Sequence, residues 1–261
     1  MIKQLRFDFY KLIHSRVMWG AWIAVLILAM VNPIVSVAVH HHSSAFLALR
    51  GMTSVMFANI SVVIFVGFFV GADYRSGYIK TIVTRVNWAY YVLSKVIYTF
   101  AFCILFGLAY QLFVILFTLM GGGKVYEPHE AHLGGVLYYK LLCEVFMAFA
   151  YGMLVMFVLM ATKSTVAALI VGFVYLFVHV YLYDLADIIL VACGAKKLAY
   201  ENIIAHYTVL GLQQWFFNPL YDSSGKLSQV DMGRYSAITL LYSLAAIGFS
   251  ILIGFKRKRK N

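Results

Sequence analysis

Val96–Met120 reads VIYTFAFCILFGLAYQLFVILFTLM, an uninterrupted run of 25 residues without a charged side chain. A helix needs about 20 apolar residues to cross the roughly 30 Å hydrocarbon core of a bilayer. The stretch is therefore long enough to span a membrane. Inside lipid it must be helical, because a helix satisfies its backbone hydrogen bonds within the segment.

Five further segments have comparable length and apolar character. They are Val17–Val39, Met52–Gly71, Leu137–Met160, Thr165–Tyr183 and Tyr235–Phe255. The whole chain is 63% hydrophobic and 12% charged, whereas soluble proteins are about half apolar and a quarter charged. We therefore predict an all-α integral membrane protein, in which residues 1–261 form a single transmembrane domain with six transmembrane helices.

Lys and Arg residues concentrate on one side of the predicted spans. Most of the 21 lie near the two termini, after the second span and in the turn after the fourth. Cytoplasmic loops carry such an excess of positive charge, so we expect both termini to be cytoplasmic. The net charge of +11 then reflects topology. Since the charges are spread over short stretches between apolar segments, we expect no nucleic-acid partner.

Three regions outside the spans are predicted to have structure of their own. Residues 1–16 place apolar side chains near one helical face, which predicts an amphipathic interfacial helix; these side chains are Ile2, Leu5, Phe9, Leu12 and Ile13. Residues 73–95 keep aromatic and aliphatic side chains between their charges, which predicts short cytoplasmic helices that dock on a partner. Residues 184–234 contain apolar runs too short to span, so we predict an extracellular segment that re-enters the outer leaflet or lies on it.

The motifs of catalysis and nucleotide binding are missing from the sequence. Gly121–Lys124 reads GGGK and lacks the G-x-x-x-x-G-K-[ST] spacing of a phosphate-binding loop. His129 and His132 are one residue too close for the H-E-x-x-H zinc motif. We therefore expect a protein that is not an enzyme and that binds no metal or cofactor itself.

Ionisable residues inside membrane spans are functional candidates, and the predicted spans contain few. Lys140 and Glu144 share a helix face near the outer end of the fourth span, and we expect both at the interface. His179 lies in the outer half of the fifth span. A self-sufficient secondary transporter or channel would need a buried ionisable residue, for which His179 is the candidate. The scarcity of buried charge instead favours transport powered by a partner.

The segment after the second span resembles the corresponding part of type-2 ABC transporter permeases. It reads GADYRSGYIK over Gly71–Lys80, continues with Thr84 and Arg85, and ends in YVLSK over Tyr91–Lys95. That family typically shows an acidic residue, a glycine, a basic residue, a Ser-Arg or Thr-Arg pair, and a lysine opening the third span. Asp73 stands where Glu is commoner. The amphipathic start, six spans, short fourth-to-fifth turn and long outer segment are also similar.

The resemblance implies a permease subunit without its own ATPase site. Such permeases pair with an identical or homologous second permease subunit, and the pair binds two copies of an ATP-binding cassette subunit, which carry ATP and Mg. Residues expected to couple to that subunit are Asp73, Arg75, Gly77, Tyr78, Lys80 and Arg85. A second coupling turn would comprise Thr162, Lys163 and Ser164. For Arg75, Lys80 and Arg85 the alternative is that they only set topology.

The resemblance also bears on the substrate and the location. Small six-span permeases of this family often export antimicrobial peptides from the bacterial cell (plasma) membrane, and others export drugs. Because the spans are rich in Phe, Tyr, Met and Val, we expect a hydrophobic or amphipathic substrate, a peptide before a small-molecule drug. Candidate pathway residues are Phe65, Phe69, Tyr110, Phe113 and His179. The four aromatic ones are equally explained as packing or lipid-facing side chains.

Overall fold

The computed structural model describes residues 2–16, 52–79, 87–121, 123–125, 134–176 and 232–258, and a few residues between 18 and 31. All elements among these residues are helices, as predicted. They are α1 (Ile2–Ile13), α2 (Met52–Arg75), α3 (Trp88–Met120), α4 (Gly134–Thr162), α5 (Thr165–Leu176) and α6 (Met232–Lys258).

Four of these helices, α2, α3, α4 and α6, are long and apolar enough to cross a membrane, which is consistent with a membrane protein. α5 covers the first part of the predicted fifth span. The first span, Val17–Val39, lies largely outside the described residues, and residues 184–234 lie almost entirely outside them. Six spans and a re-entrant segment therefore stay predictions.

The segment of residues 73–95 is described only in part, so the short helices expected there stay a prediction. Where it is described, it consists mainly of the end of α2, which runs on to Arg75, and the beginning of α3, which starts at Trp88. Asn87 caps α3, its side chain accepting a hydrogen bond from the amide of Ala89 at 3.1 Å. The helices continue through Asp73 and Lys95 because these side chains find partners inside the protein.

α4 is the central helix of the described structure, since it packs against α2, α3 and α6. Its inward side chains Met153, Met156 and Leu159 are fully buried. Small residues allow close approach of the helices, as is common in membrane proteins. At Gly172 of α5, an added Cβ would lie 2.9 Å from Val63 of α2. Close packing therefore fixes α2, α4 and α5 to one another.

The outward faces of α3 and α6 are apolar. Their exposed leucines include Leu105, Leu108, Leu112, Leu116 and Leu119 in α3, and Leu240, Leu241, Leu244 and Leu252 in α6. An apolar surface of this extent would be an aggregation liability in water, whereas a lipid environment accommodates it. The surface therefore agrees with the membrane class that the composition indicates.

Candidate functional site

Four charged side chains of alternating sign meet where α1 lies against α2 and α3. The Nζ atom of Lys95 lies 2.7 Å from Oδ1 of Asp8 and 2.8 Å from Oδ2 of Asp73. Lys11 forms a further ion pair with Oδ1 of Asp73. We refer to Asp8, Lys11, Asp73 and Lys95 as the charge cluster. With two acids and two bases, its formal charge is zero.

The charge cluster is almost completely removed from solvent. The side chains of Asp8 and Lys95 are 0% exposed and that of Asp73 is 2% exposed, while Lys11 at 25% forms the edge. Taking a charge out of water costs several kcal/mol unless ion pairs and hydrogen bonds replace its hydration. The cluster therefore depends on its geometry, and losing any central member leaves an uncompensated charge.

Neutral groups complete the coordination of Asp8. The hydroxyl of Ser94 donates to Oδ2 of Asp8 at 2.6 Å, and the amide of Gln4 donates to the same oxygen at 3.2 Å. Because Lys95 binds the other carboxylate oxygen, both oxygens of Asp8 have donors. α3 thus supplies two adjacent donors to the Asp8 carboxylate, and α1 supplies one, from the residue one turn before Asp8.

Asp73 is satisfied in a similar way from the other side. The hydroxyl of Tyr91 donates to Oδ2 of Asp73 at 3.1 Å. Lys11 also donates to the backbone oxygen of Phe69 at 3.3 Å. The ammonium of Lys95 lies 4.1 Å from the centroid of the Phe69 ring, within range of a cation–π interaction. α2 therefore contributes a carboxylate, a carbonyl and an aromatic face.

α1 turns its polar residues inward, which the sequence analysis did not anticipate. Gln4, Asp8 and Lys11 recur at the spacing of one helical face, and this face packs against α2 and α3. Ile2 and Phe9, by contrast, are 70% and 56% exposed. The expected helix is present, but its charged side chains bind residues of α2 and α3 instead of facing solvent. In an interface, the exposed apolar side chains would face lipid.

Two further contacts attach α1 to its neighbours. The hydroxyl of Tyr98 in α3 donates to the backbone oxygen of Leu5 at 2.7 Å. The ring of Phe7 stacks on the ring of Tyr78, just beyond α2, with 5.0 Å between centroids. Burial lowers the pKa of Lys11, although the Asp73 carboxylate opposes this shift. The environment of Lys11 thus disfavours its charged form overall. The contacts of Tyr98 and Tyr78 with α1 do not involve charge and also hold this helix against α2 and α3.

The residues expected to couple to an ATPase differ in their placement. Asp73 points into the charge cluster, while Arg75 is exposed at the end of α2 with its guanidinium 5.3 Å from the Phe68 ring centroid. Gly77 has a φ of +70°, which a glycine adopts without strain. Tyr78 is partly buried against α1. Lys80 and Arg85 lie outside the described residues.

The second expected coupling segment forms the tight turn between α4 and α5. Lys163 is exposed and has a positive φ of 59°. Thr162 accepts a hydrogen bond from the amide of Ser164 at 3.3 Å, and the Ser164 hydroxyl caps α5 by accepting from Ala167 at 3.2 Å. Gly71 of α2 packs so tightly against the hydroxyl of Thr165 that an added methyl group would overlap it.

The candidate pathway residues that the structure describes belong to the packed interior. The ring of Phe65 is stacked with those of Phe69 and Phe102, with centroid distances of 5.2 and 4.0 Å. Tyr110 is buried, and Phe113 is partly buried against the same core. His179 lies outside the described residues. Phe65 and Phe69 are thus brought together, next to the charge cluster.

The side chain of Glu144 is buried among α2, α3 and α4, whereas a side chain that snorkels to water at the interface would be exposed. With Tyr110 and Cys103 it lines a cavity of about 10 Å³, about enough for one water molecule. The charge cluster adds buried charge that the sequence did not predict, at residues outside the predicted spans. The sequence signal for the charge cluster is Lys95, a single lysine just before a long apolar run. Its partners Asp8 and Asp73 are distant in sequence, so the signal does not identify them.

Among the described residues, no group of three or more His, Cys, Asp and Glu side chains could hold a metal ion. The fold and the site define an all-helical protein with several helices apolar enough to span a membrane. Compared with models of known protein families and with curated proteins, the chain matches none. Its resemblance to type-2 ABC permeases therefore stays a prediction.

Proposed function

We propose that this chain is the transmembrane permease subunit of an ATP-driven ABC exporter in a bacterial plasma membrane, with both termini cytoplasmic. A separate ATP-binding subunit supplies the energy, and a second permease subunit completes the transporter. The substrate is a hydrophobic or amphipathic molecule, an antimicrobial or other peptide before a small drug. The chain contributes the pathway and the surface that receives the partner.

The observation that carries this proposal is the proximity of two surface turns. The end of α2 bears the exposed Arg75, and the turn between α4 and α5 bears the exposed Lys163. The tight contact between Gly71 and Thr165 makes these segments neighbours. A partner that binds both turns acts on α2, α4 and α5 together, because these helices are closely packed.

The charge cluster gives this surface a mechanical connection to the rest of the bundle. Asp73 lies two residues before Arg75 and binds Lys95 of α3 and Lys11 of α1. Displacement of the end of α2 therefore pulls on both neighbours through buried ion pairs. In this proposal Asp73 is a positioning residue that links helices, while Arg75 and Lys163 meet the partner.

A second candidate function is a self-sufficient, proton-coupled secondary transporter. Buried Glu144 and its water-sized cavity with Tyr110 favour it, because ionisable groups within membrane spans often mark proton or substrate pathways. This candidate requires no ATP-binding partner. It also makes Glu144 indispensable to transport, whereas the ABC proposal assigns energy coupling to the opposite end of α4.

Purification of the tagged chain from its native membrane in mild detergent tests the proposal. We expect an ATP-binding subunit to copurify, and to be lost when Arg75→Glu and Lys163→Glu are combined. Lys124→Glu is the matched control, because Lys124 is also exposed but follows the opposite end of α3. Purification of the wild-type chain alone, with ATP-independent transport that Glu144→Gln abolishes, would overturn the proposal in favour of the second candidate.

A further inference from the structure

A cleft opens between α1 and the end of α2, beside the charge cluster. Its volume is about 390 Å³, within the usual range of small-molecule sites. The residues that line it are Phe7, Lys11, Asp73, Ser76, Gly77 and Tyr78. The cleft thus combines an ammonium, a hydroxyl and two stacked aromatic rings at the edge of the helix bundle.

Hydrogen-bond donors in this cleft have capacity left for a ligand. An ammonium group has three N–H donors, and within the described part of the chain the bonds of Lys11 to Phe69 and Asp73 use two of them. The hydroxyl of Ser76 donates over a long 3.5 Å to the backbone oxygen of Asp73, and it accepts from the amide of Tyr78 at 3.5 Å. Both groups can therefore donate to an oxyanion in the cleft.

The local charge favours an anion although Asp73 lies in the wall. Its carboxylate already accepts from Lys95, Lys11 and Tyr91, and the charge cluster as a whole is neutral. Two exposed basic residues flank lining residues in the sequence, since Arg6 precedes Phe7 and Arg75 precedes Ser76. The exposed charges next to the lining residues in sequence are therefore positive.

The surroundings of the cleft distinguish a lipid from a soluble anion. α1 exposes the apolar side chains of Ile2, Phe9 and Ile13, and it is the helix predicted to lie in the membrane interface. A polar, positively flanked cleft beside an apolar helix face suits an amphiphile whose headgroup enters the cleft while its chains follow the apolar face. Basic pockets at membrane interfaces bind anionic headgroups in this way.

We propose that the cleft between α1 and the end of α2 binds the phosphate headgroup of an anionic phospholipid. Lys11 and Ser76 donate hydrogen bonds to the phosphate oxygens, and the rings of Phe7 and Tyr78 form the wall. The bound lipid adds a ligand that holds α1 against α2. Lipid binding at this site does not require an ATP-binding partner. The experiment that tests it is therefore independent of the one that tests the proposed transport function.

Native mass spectrometry of the full-length chain in detergent, with phosphatidylglycerol or phosphatidylcholine added, tests the site. We expect one phosphatidylglycerol molecule to be retained in preference to phosphatidylcholine. Lys11→Met should weaken this retention about tenfold, the loss expected for one hydrogen bond between charged groups. Lys124→Met, which removes an exposed lysine elsewhere, should leave it unchanged.

A second variant keeps the test decisive if Lys11→Met does not fold. Ser76→Trp fills the cleft from its exposed rim and should abolish preferential retention. Equal retention of the two lipids, or retention unaffected by the variant that is recovered, would overturn the proposal. Displacement of the lipid by excess inorganic phosphate would show that the cleft recognises the free anion, which would also overturn the assignment to lipid.

Discussion

Buried ionisable groups occur in two regions of this protein, and the two regions are built differently. At the α1 end, the charge cluster binds its members at 2.7 and 2.8 Å around Lys95, with Ser94, Gln4 and Tyr91 as further donors. Beside the middle of α3, near Cys103 and Tyr110, the buried Glu144 lines a cavity large enough for one water molecule. The first region is closely packed, whereas the second has space.

This difference indicates which region fixes the structure and which allows change. Two ion-paired carboxylates with several donors each have one favourable arrangement, so the charge cluster holds α1, α2 and α3 in register. A carboxyl group beside a water-sized cavity can exchange a partner or a water molecule at lower cost. We therefore expect mutations at the α1 end to affect stability most, and mutations at Glu144 to affect it less.

The largest expected effect comes from removing the centre of the charge cluster. Lys95→Met leaves Asp8 and Asp73 close together without the ammonium between them, which should lower the free energy of unfolding by about 3–5 kcal/mol. Reversible denaturation in mixed micelles measures this loss. Lys163→Met, which removes an exposed lysine at the surface turn, is the control and should change stability by less than about 1 kcal/mol.

The packing around Trp88 provides the next largest effect at the same end of the bundle. The indole of Trp88 donates to the backbone oxygen of Ser250 at 3.0 Å, and a Cβ on Gly254 would collide with its ring. Gly254→Ala should therefore cost about 1–3 kcal/mol. Gly248→Ala, on the same helix but with no described atom within 4 Å of an added Cβ, should be neutral or slightly stabilising. Equal effects of the two would refute this contact.

The sequence predicts the long helices of this protein but does not predict which charged residues pair between them. Long apolar runs predict α2, α3, α4 and α6, because spanning helices must satisfy their backbone internally. The helices run beyond the predicted spans, to Arg75 in α2 and from Trp88 in α3, and the sequence does not predict that Asp73 and Lys95 meet inside the protein. Asp8 lies 87 residues before Lys95 in the chain. No local pattern reveals that such distant residues neutralise each other.

The same reasoning applies to the candidate site. The resemblance selected Asp73, Arg75 and the turn around Lys163, and periodicity predicted the helix that became α1. The inward direction of its polar face follows only from packing against α2 and α3. Glu144 was expected at the interface because its position along the span was known, but its neighbours across the bundle were not.

Glu144→Gln should have a smaller effect on stability than the changes at the α1 end. The amide keeps the shape and one acceptor of the carboxyl group, so we expect a loss of about 1 kcal/mol or less. The same denaturation measurement compares it with Asp73→Asn, the matched carboxyl-to-amide change within the charge cluster, which should cost several times more. An equal cost at both positions would contradict the proposed difference between the two regions.

The smallest effect is expected at Lys11, on the edge of the charge cluster. Burial lowers its pKa in the folded protein, so between the folded and unfolded pKa values the unfolded chain binds more protons at this residue. Stability should therefore rise with pH across that window. Lys11→Met should cost little stability near neutral pH and should remove this rise, which denaturation measured over a pH series detects. If stability still rises with pH in Lys11→Met, another titrating group causes the rise.

The most direct test of the proposed function is transport by the purified chain in proteoliposomes, with and without its copurifying ATP-binding subunit. Our account predicts movement of an amphipathic peptide only when that subunit and ATP are both present. It also predicts that Asp73→Asn retains the subunit but transports more slowly for each ATP hydrolysed. Transport by this chain alone, driven by a proton gradient and abolished by Glu144→Gln, would contradict the account.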